Sequence, residues 1–414
     1  MTSICLYFQV HQPFRIKPIS FFDIGQVESY DDDHQNLRIL NEIADRCYLP
    51  ANELLQSLIE ESGEQIKLNF SISGTAIEQF ELYRPDVLSS FQRLAKTGQV
   101  EFLAETYYHS LASVYSPREF TDQVHKHRAK IKSVFGQTPQ VFRNTELIYH
   151  NTIAKAAEDL GFKAILCEGV DHFLGGKSPN HMYKPTVDSN INCFLRNYSL
   201  SDDIAFRFSD DTWSEYPLTV PKFTRWLENP TNRGEVINLY MDYETFGEHQ
   251  AKTTGIFEFL RDVLWSIVRS KNVTLATFSE VIREQNATDI YDVPTPSSWA
   301  DTERDVSAWC GNEMQRDALK RLYDLEQKIR LLGNEELNHS WSKLQTSDHF
   351  YYMSTKNWPD NEIHQYFSPF ESPYEAYIYF TNVLKDLELY LDYHLEVKQM
   401  TSAGENSKIL ALKN

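Results

Sequence analysis

Carboxylates and imidazoles recur in this chain directly after short apolar runs. His11, Gln12 and Pro13 follow Ile4–Val10, and Glu105 through His109 follow Val100–Ala104. Glu146 follows Gln140–Thr145, and Glu168, Asp171 and His172 follow Ala164–Cys167. The run INLYMDYETFGEH ends in Asp242, Glu244, Glu248 and His249. If these runs are parallel strands of a barrel, their C-terminal ends gather on one face, where such folds build their sites. Residues two apart on a strand point the same way. Asp242 and Glu244 are therefore expected to face the lumen, with Met241 and Tyr243 toward the helices. Asn144 pairs likewise with Glu146, and Gln9 with His11. An apolar strand that delivers carboxylates to one side is costly unless they are paired or functional. Two carboxylates from different strands fit glycoside hydrolysis: one attacks the anomeric carbon, the other protonates the leaving oxygen and then activates water. Retention needs them about 5–5.5 Å apart. The acid must keep its proton near neutral pH, and a second carboxylate close by, Glu244 or the nucleophile, would raise its pKa.

The elements that must position these groups alternate. Candidate strands are Ile4–Val10, Ile66–Ile72, Val100–Ala104, Gln140–Thr145, Ala164–Cys167, Ala205–Phe208, Val236–Tyr243 and Val273–Thr277. Helical periodicity fills the gaps at Asn52–Glu61, Pro85–Lys96, Pro117–Val134 and Thr152–Leu160. Repeated strand–helix units predict a parallel α/β architecture, and their number favours a barrel over an open sheet. No glycine-rich dinucleotide loop follows the first strand, which weakens a nucleotide-binding reading. Beyond residue 290 helical periodicity dominates, at Asn312–Leu332, Glu335–Thr346 and Pro373–Val397. The expected organisation is a barrel over residues 1–290, a helical domain over 291–400 and a tail over 401–414.

The 414 residues carry 40 Lys+Arg against 59 Asp+Glu, a net charge of −19. A surface this acidic repels nucleic acid and anionic membranes but not a neutral polysaccharide. Some of the tryptophans sit in polar surroundings, Trp213 in DDTWSEY and Trp299 and Trp309 in SSWADTERDVSAWCGN; they suit either core packing or stacking on sugar rings. The five cysteines are scattered and form no CxxC, so neither a disulfide framework nor a structural zinc is expected. The N-terminal stretch lacks the basic and apolar regions of a signal peptide, and no apolar run reaches the about 18 residues of a membrane span. A cytoplasmic protein without cofactor or metal is expected.

Five short regions resemble glycoside hydrolase family 57, the α-amylase, glucanotransferase and branching-enzyme group, in that family's order. They are His11-Gln12-Pro13; Glu105-Thr106-Tyr107-Tyr108-His109; Phe142-Arg143-Asn144-Thr145-Glu146; Met241-Asp242-Tyr243-Glu244-Thr245-Phe246-Gly247; and Trp299-Ala300-Asp301 through Arg304-Asp305 and Ala308-Trp309. Each alone is a weak signal; together they span nearly the whole chain. The resemblance implies a (β/α)7 barrel, an incomplete TIM-type barrel, followed by a helical C-terminal domain that completes the active-site wall. It implies a retaining α-1,4-glucan enzyme acting on starch, glycogen or malto-oligosaccharides, hydrolysing like the α-amylase branch or transferring like the glucanotransferases. It assigns the nucleophile to Glu146 and the acid/base to Asp242. His11, Glu244, Trp299 and Trp309 fall around the glucose ring, and His109, Arg143, Trp213 and Asp305 are expected among the substrate contacts. The chain departs from some glucanotransferases at three places: Gln9 where they carry His, His109 where they carry Glu, and Arg143 where they carry Trp.

Several other signals are set aside. His125 and His127 lie two apart on a helical stretch and do not face together, so a solvated face is expected. Asp31–Asp33 reads as a helix cap rather than a metal cluster. Gly175-Gly176-Lys177-Ser178 lacks the glycine that a phosphate loop requires. No two histidines stand four apart, which argues against the HxxxH ligands of a metal-dependent deacetylase. Glu168 is the chief rival to Glu146 as nucleophile, and the resemblance leaves it a supporting role.

Overall fold

A computed structural model describes residues 1–229, 234–287, 289–356 and 368–411. Two compact units form. The first comprises Met1–Gln12, Asn36–His109 and Pro117–Asp305; the second comprises Pro13–Gln35, Ser110–Ser116 and Val306–Asn414.

Beside a short parallel strand, Val273–Leu275, which pairs with the N-terminal end of the first ring strand, the first unit holds a closed ring of seven parallel strands. They are β1 (Thr2–Val10), β2 (Leu68–Ile72), β3 (Val100–Phe102), β4 (Val141–Arg143), β5 (Ala164–Glu168), β6 (Asn192–Arg196) and β7 (Val236–Asp242). β1 pairs with both β2 and β7, so the ring closes on itself. Around the rest of the ring β2 pairs with β3, β4 with β5, β5 with β6 and β6 with β7. The β3–β4 seam is carried by a bridge between Ala104 and Phe142. Closure removes sheet edges, and the outcome is the expected (β/α)7 barrel with a helical second unit.

Side-chain alternation sorts two layers. From β1, Tyr7 turns inward to meet Tyr240 at 5.3 Å, while Phe8 turns outward onto Phe70 at 5.2 Å. The outer layer continues through Phe91, Phe102 and Tyr243. Burial of each such ring stabilises the fold by about 1.5–3 kcal/mol. Toward the C-terminal ends the inner layer becomes polar.

Two sequence expectations fail. Ala205–Phe208 is not a strand; Ala205 ends the helix Tyr198–Ala205, and the Phe206 amide donates to the Asp202 carbonyl. The ring strand in this part of the chain is Asn192–Arg196, whose apolar stretch is only Cys193-Phe194-Leu195 between polar residues. That is too short for a period of two to show. The expected boundary at residue 290 falls inside the first unit, because residues 297–299 pair along the turn that carries Glu146. Tyr149 and Ser297 exchange backbone hydrogen bonds of 2.9 and 2.8 Å, and the Trp299 amide donates to the Glu146 carbonyl at 3.3 Å.

The second unit is built on helices Glu313–Asp324, Glu326–Leu332, Glu335–Lys343 and Pro373–Ala411. Asp386 on the last of these accepts from the Gly25 amide at 2.6 Å and the Tyr30 hydroxyl at 2.7 Å. The expected single helix Asn312–Leu332 divides at Leu325, and the stretch expected as a tail continues the last helix to Ala411. Asp32 accepts from the Gln35 amide at 3.0 Å at the start of the helix Asp33–Ile43, the capping role expected of the acidic run. No helix among the described residues is long and apolar enough to cross a membrane.

Candidate active site

Glu146 leaves the end of β4 in a one-turn 3-10 segment, with φ 56° and ψ 26°. A left-handed non-glycine residue costs about 1–3 kcal/mol and persists only where its surroundings enforce it. Here the Asn144 side chain donates to the Ile148 carbonyl at 2.8 Å, Thr145 and Thr106 share a hydroxyl bond of 2.6 Å, and Trp299 holds the Glu146 carbonyl. The expectation that Glu146 continues the strand alternation from Asn144 therefore fails; the turn, not the pleat, aims its side chain. His109 (φ 51°), Leu147 (φ 50°), Asp301 (φ 57°) and Arg304 (φ 52°) share the left-handed region. Of these, Leu147 follows Glu146 in the chain and His109 touches its carboxylate.

Both Glu146 oxygens are held. Trp299 Nε1 donates to Oε2 at 2.7 Å, and His109 Nε2 lies 3.1 Å from Oε1. The other His109 nitrogen, Nδ1, lies 2.9 Å from Glu105 Oε2. Ionised carboxylates only accept, so an imidazole satisfying both must carry two protons. Burial pushes His109 toward the neutral form, but the hydrogen bonds and charges of Glu105 and Glu146 prevail and raise its pKa to about 9. The His11 ring stacks on His109 at 4.0 Å, and its Nδ1 lies 2.7 Å from Ser73 Oγ.

Beneath His109, Glu105 is fully buried. Gln9 Nε2 donates to its two oxygens at 3.2 and 3.4 Å, and Arg143 Nη1 stands 4.0 Å from Oε2. Its amide donates to His127 Nδ1 at 3.1 Å, while His127 Nε2 reaches the Ile72 carbonyl at 2.8 Å. Burial works to raise the Glu105 pKa, but His109, then His127 and Arg143, outweigh it and hold the carboxyl below its usual value. His127 is thus a buried strut, which corrects the expectation of a solvated helix face. The three departures from the glucanotransferase pattern, Gln9, His109 and Arg143, all meet at Glu105.

Arg143 was expected among the substrate contacts. It is 0% exposed, and its guanidinium, inaccessible to solvent, lies 4.9 Å from the Trp299 ring. Barrel closure turns it inward from the last residue of β4, toward Glu105 instead of an open cleft.

Asp242 ends β7 and stands in register with Gln9 of β1. Glu244 lies in the following 3-10 turn Tyr243–Thr245, so the two do not share a strand face as alternation predicted. Tyr48, itself bonded by Gln12 at 3.1 Å, donates to Glu244 Oε1. The turn presses so closely on Arg46 that a Cβ on Gly247 would meet the Arg46 carbonyl at 2.0 Å. Burial, then the Asp242 charge, raises the Glu244 pKa to about 8. The carboxyl beside Asp242 is therefore protonated at neutral pH.

Glu168 is equally buried but otherwise employed. Arg196 Nη1 and Arg304 Nη1 each stand 3.0 Å from its Oε2. Asp305 closes the 298–305 loop, its carbonyl accepting from Ser298 Oγ at 2.6 Å. Trp213 packs edge-on to Trp226 at 6.1 Å, under the Arg207 guanidinium at 5.7 Å. Trp309 belongs to the second unit, buried against Tyr351 at 6.3 Å. Sequence reasoning did not single out Tyr48 or Ser73; their only sequence signal is periodicity, which marks them as helix positions or caps. Among the described residues no three His, Cys, Asp or Glu side chains group as metal ligands do.

A ring of seven parallel strands brings a strained glutamate and a strand-end aspartate to its C-terminal ends, where barrel enzymes build their sites. Residues 5–294 match the profile of glycosyl hydrolase family 57, and the chain belongs to that family. It is 46% identical over 400 residues to a Methanocaldococcus jannaschii protein provisionally named an alpha-amylase, an overlap of 94% of this chain and 84% of the relative. A 4-alpha-glucanotransferase of Thermococcus litoralis is 22% identical over 278 residues, 65% of this chain and 40% of that protein. The crystal structure of a family 57 branching enzyme from Pyrococcus horikoshii has the same fold, with a TM-score of 0.66 at 13% identity over 88% of this chain and 87% of that one.

Proposed function

We propose that the chain is a retaining α-1,4-glucan hydrolase in which Glu146 is the nucleophile and Asp242 the general acid/base. The carrying observation is that both Glu146 oxygens are held by N–H donors on a strained strand-end turn. In the first step a Glu146 oxygen bonds the anomeric carbon as the glycosidic C–O bond breaks, and Asp242 gives its proton to the leaving oxygen. In the second, Asp242 takes a proton from water, the water oxygen bonds the anomeric carbon, and the Glu146 carboxylate departs. The Trp299 and His109 donors stabilise that departing charge inside a low-dielectric site. Neutral Glu244 spares Asp242 a second negative neighbour when it must act as base.

The test is turnover of malto-oligosaccharides by Glu146→Gln and Asp242→Asn. Wild-type-like rates in either variant sink the assignment. Retention is read by NMR from the anomer released first, and a β-anomer overturns it. A glucan-transfer reading draws support from the glucanotransferase relative, and chromatography after incubation with maltoheptaose decides it: oligomers longer than the substrate mean transfer, only shorter ones hydrolysis. Glucan binding by calorimetry with no product over long incubation would instead mark a binding protein.

A further inference from the structure

The buried machinery under Glu146 contains a carboxylate to which no catalytic step has been given. Glu105 cannot touch a sugar, since it is fully buried, yet four side chains converge on it. Gln9 and Arg143 approach its oxygens from β1 and β4, His109 bonds it through Nδ1, and His127 on the helix Pro117–Phe135 holds its amide. The residue linking it to the reacting centre is His109, whose second nitrogen meets Glu146. We propose that Glu105 is a positioning residue for the reaction, acting through His109 to keep the imidazole doubly protonated and its Nε2–H aimed at Glu146 Oε1.

This rests on Glu146 being the reacting carboxylate. The physical case is one of charge alternation. The line Glu105, His109, Glu146 reads minus, plus, minus, so each bond is charge-assisted. When Glu146 is esterified by the sugar its charge vanishes, and without Glu105 a buried imidazolium would then face only a neutral ester. Glu105 keeps the proton on His109 through that interval. The donor is thus in place when the carboxylate must leave, as preorganised stabilisation requires. The other groups facing His109 do not replace Glu105. His11 stacks on the ring face, His127 carries no negative charge and uses its Nδ1 to accept from the Glu105 amide, and Arg143 is itself a cation.

The experiment compares Glu105→Gln, His109→Asn and the double variant with maltoheptaose as substrate, and follows thermal unfolding of each from about pH 6 to about pH 10. Glu105→Gln is expected to lower kcat by about 10²-fold with KM changed less than about 3-fold, since it removes an interaction used in the transition state and not in binding. The high-pH limb of kcat/KM should move down by more than about one unit, because His109 loses the anion that retains its proton. The double variant should be no slower than His109→Asn alone, as expected of residues acting as a unit. A wild-type pH limb in Glu105→Gln, or additive losses in the double variant, overturns the proposal even if stability falls, for a purely structural residue would give that pattern. If Glu105→Gln does not fold, Glu105→Asp decides. A lowered kcat with the limb retained supports the relay, and an unchanged kcat overturns it. If Glu146→Gln is itself fully active, the nucleophile assignment fails separately. The relay then stands or falls on the unfolding data: the alkaline loss of stability expected of wild type should be smaller in Glu105→Gln, and an equal loss overturns the relay.

Discussion

Two buried glutamates end neighbouring barrel strands, and the barrel treats them oppositely. Glu168 sits on regular β5 backbone, is 0% exposed, and is clamped by the guanidinium groups of Arg196 and Arg304. Glu146 sits three residues past the end of β4 on left-handed backbone, is 9% exposed, and is held by an indole and an imidazole. Two full cations close over Glu168 and leave it no freedom to react. An indole N–H and one shared imidazolium hold Glu146 without neutralising it fully. What separates the two carboxylates is the chemistry of their donors and the strain of the backbone, not their place at a strand end, and on the proposed function this is what distinguishes a structural carboxylate from a reactive one.

The comparison breaks first at the two residues themselves. Glu146→Gln should lower kcat on malto-oligosaccharides by about 10³-fold or more with little change in the unfolding midpoint, as loss of a covalent nucleophile does. Glu168→Gln should do the reverse: urea unfolding should show a loss of about 3 kcal/mol from partly stranding buried guanidinium groups, while the folded fraction keeps most of its activity. If Glu168→Gln abolishes turnover at full stability, the roles have been exchanged.

Asp242→Asn should cost about 10²–10⁴-fold on unactivated glucans, the range of general acid catalysis. The loss in the glycosylation step should be smaller on an aryl glycoside whose leaving group needs no proton. Equal losses on both would argue against the acid role.

A smaller effect is expected from the donors. Trp299→Phe removes one hydrogen bond to a charged oxygen, worth about 1.5–3 kcal/mol, and should reduce kcat/KM by about 10–100-fold. An unchanged kcat/KM would mean that the indole only fills space.

The smallest is a pH effect. His109 has its folded pKa raised to about 9, against about 6.5 unfolded. Its contribution to stability is therefore fully present below about pH 6.5 and is lost as pH rises through about 9. The melting temperature of His109→Asn should fall less steeply over that window than that of wild type. Parallel curves would remove His109 as the titrating group.

Much of the barrel was legible because strands and helices advertise different periods. The helix Pro85–Lys96 was found at its observed bounds, and most of the ring strands were found within a few residues. Asn192–Arg196 was not, since three apolar residues carry no period. The carboxylates themselves were visible as a set, for parallel strands must bring their ends together. Their aim was not, since the turns at Thr145–Leu147 and Tyr243–Thr245 break the alternation on which the reading relied.

The sequence by itself determined the class: strand–helix alternation and strand-end acids define a parallel α/β barrel with a site on one face, and the five ordered motifs carry the resemblance to family 57. Only the tertiary structure decided which acids are tied down and which are poised. Gln9, Glu105, His109, Arg143, Glu146 and Trp299 span nearly the whole first unit, and no local pattern links the motifs that carry them. Their coupling exists because ring closure brings β1, β3 and β4 together, and because residues 297–299 run back along the Glu146 turn. Charge and hydrogen-bond partners act through space at a few ångströms, and that distance is set by folding, not by position along the chain.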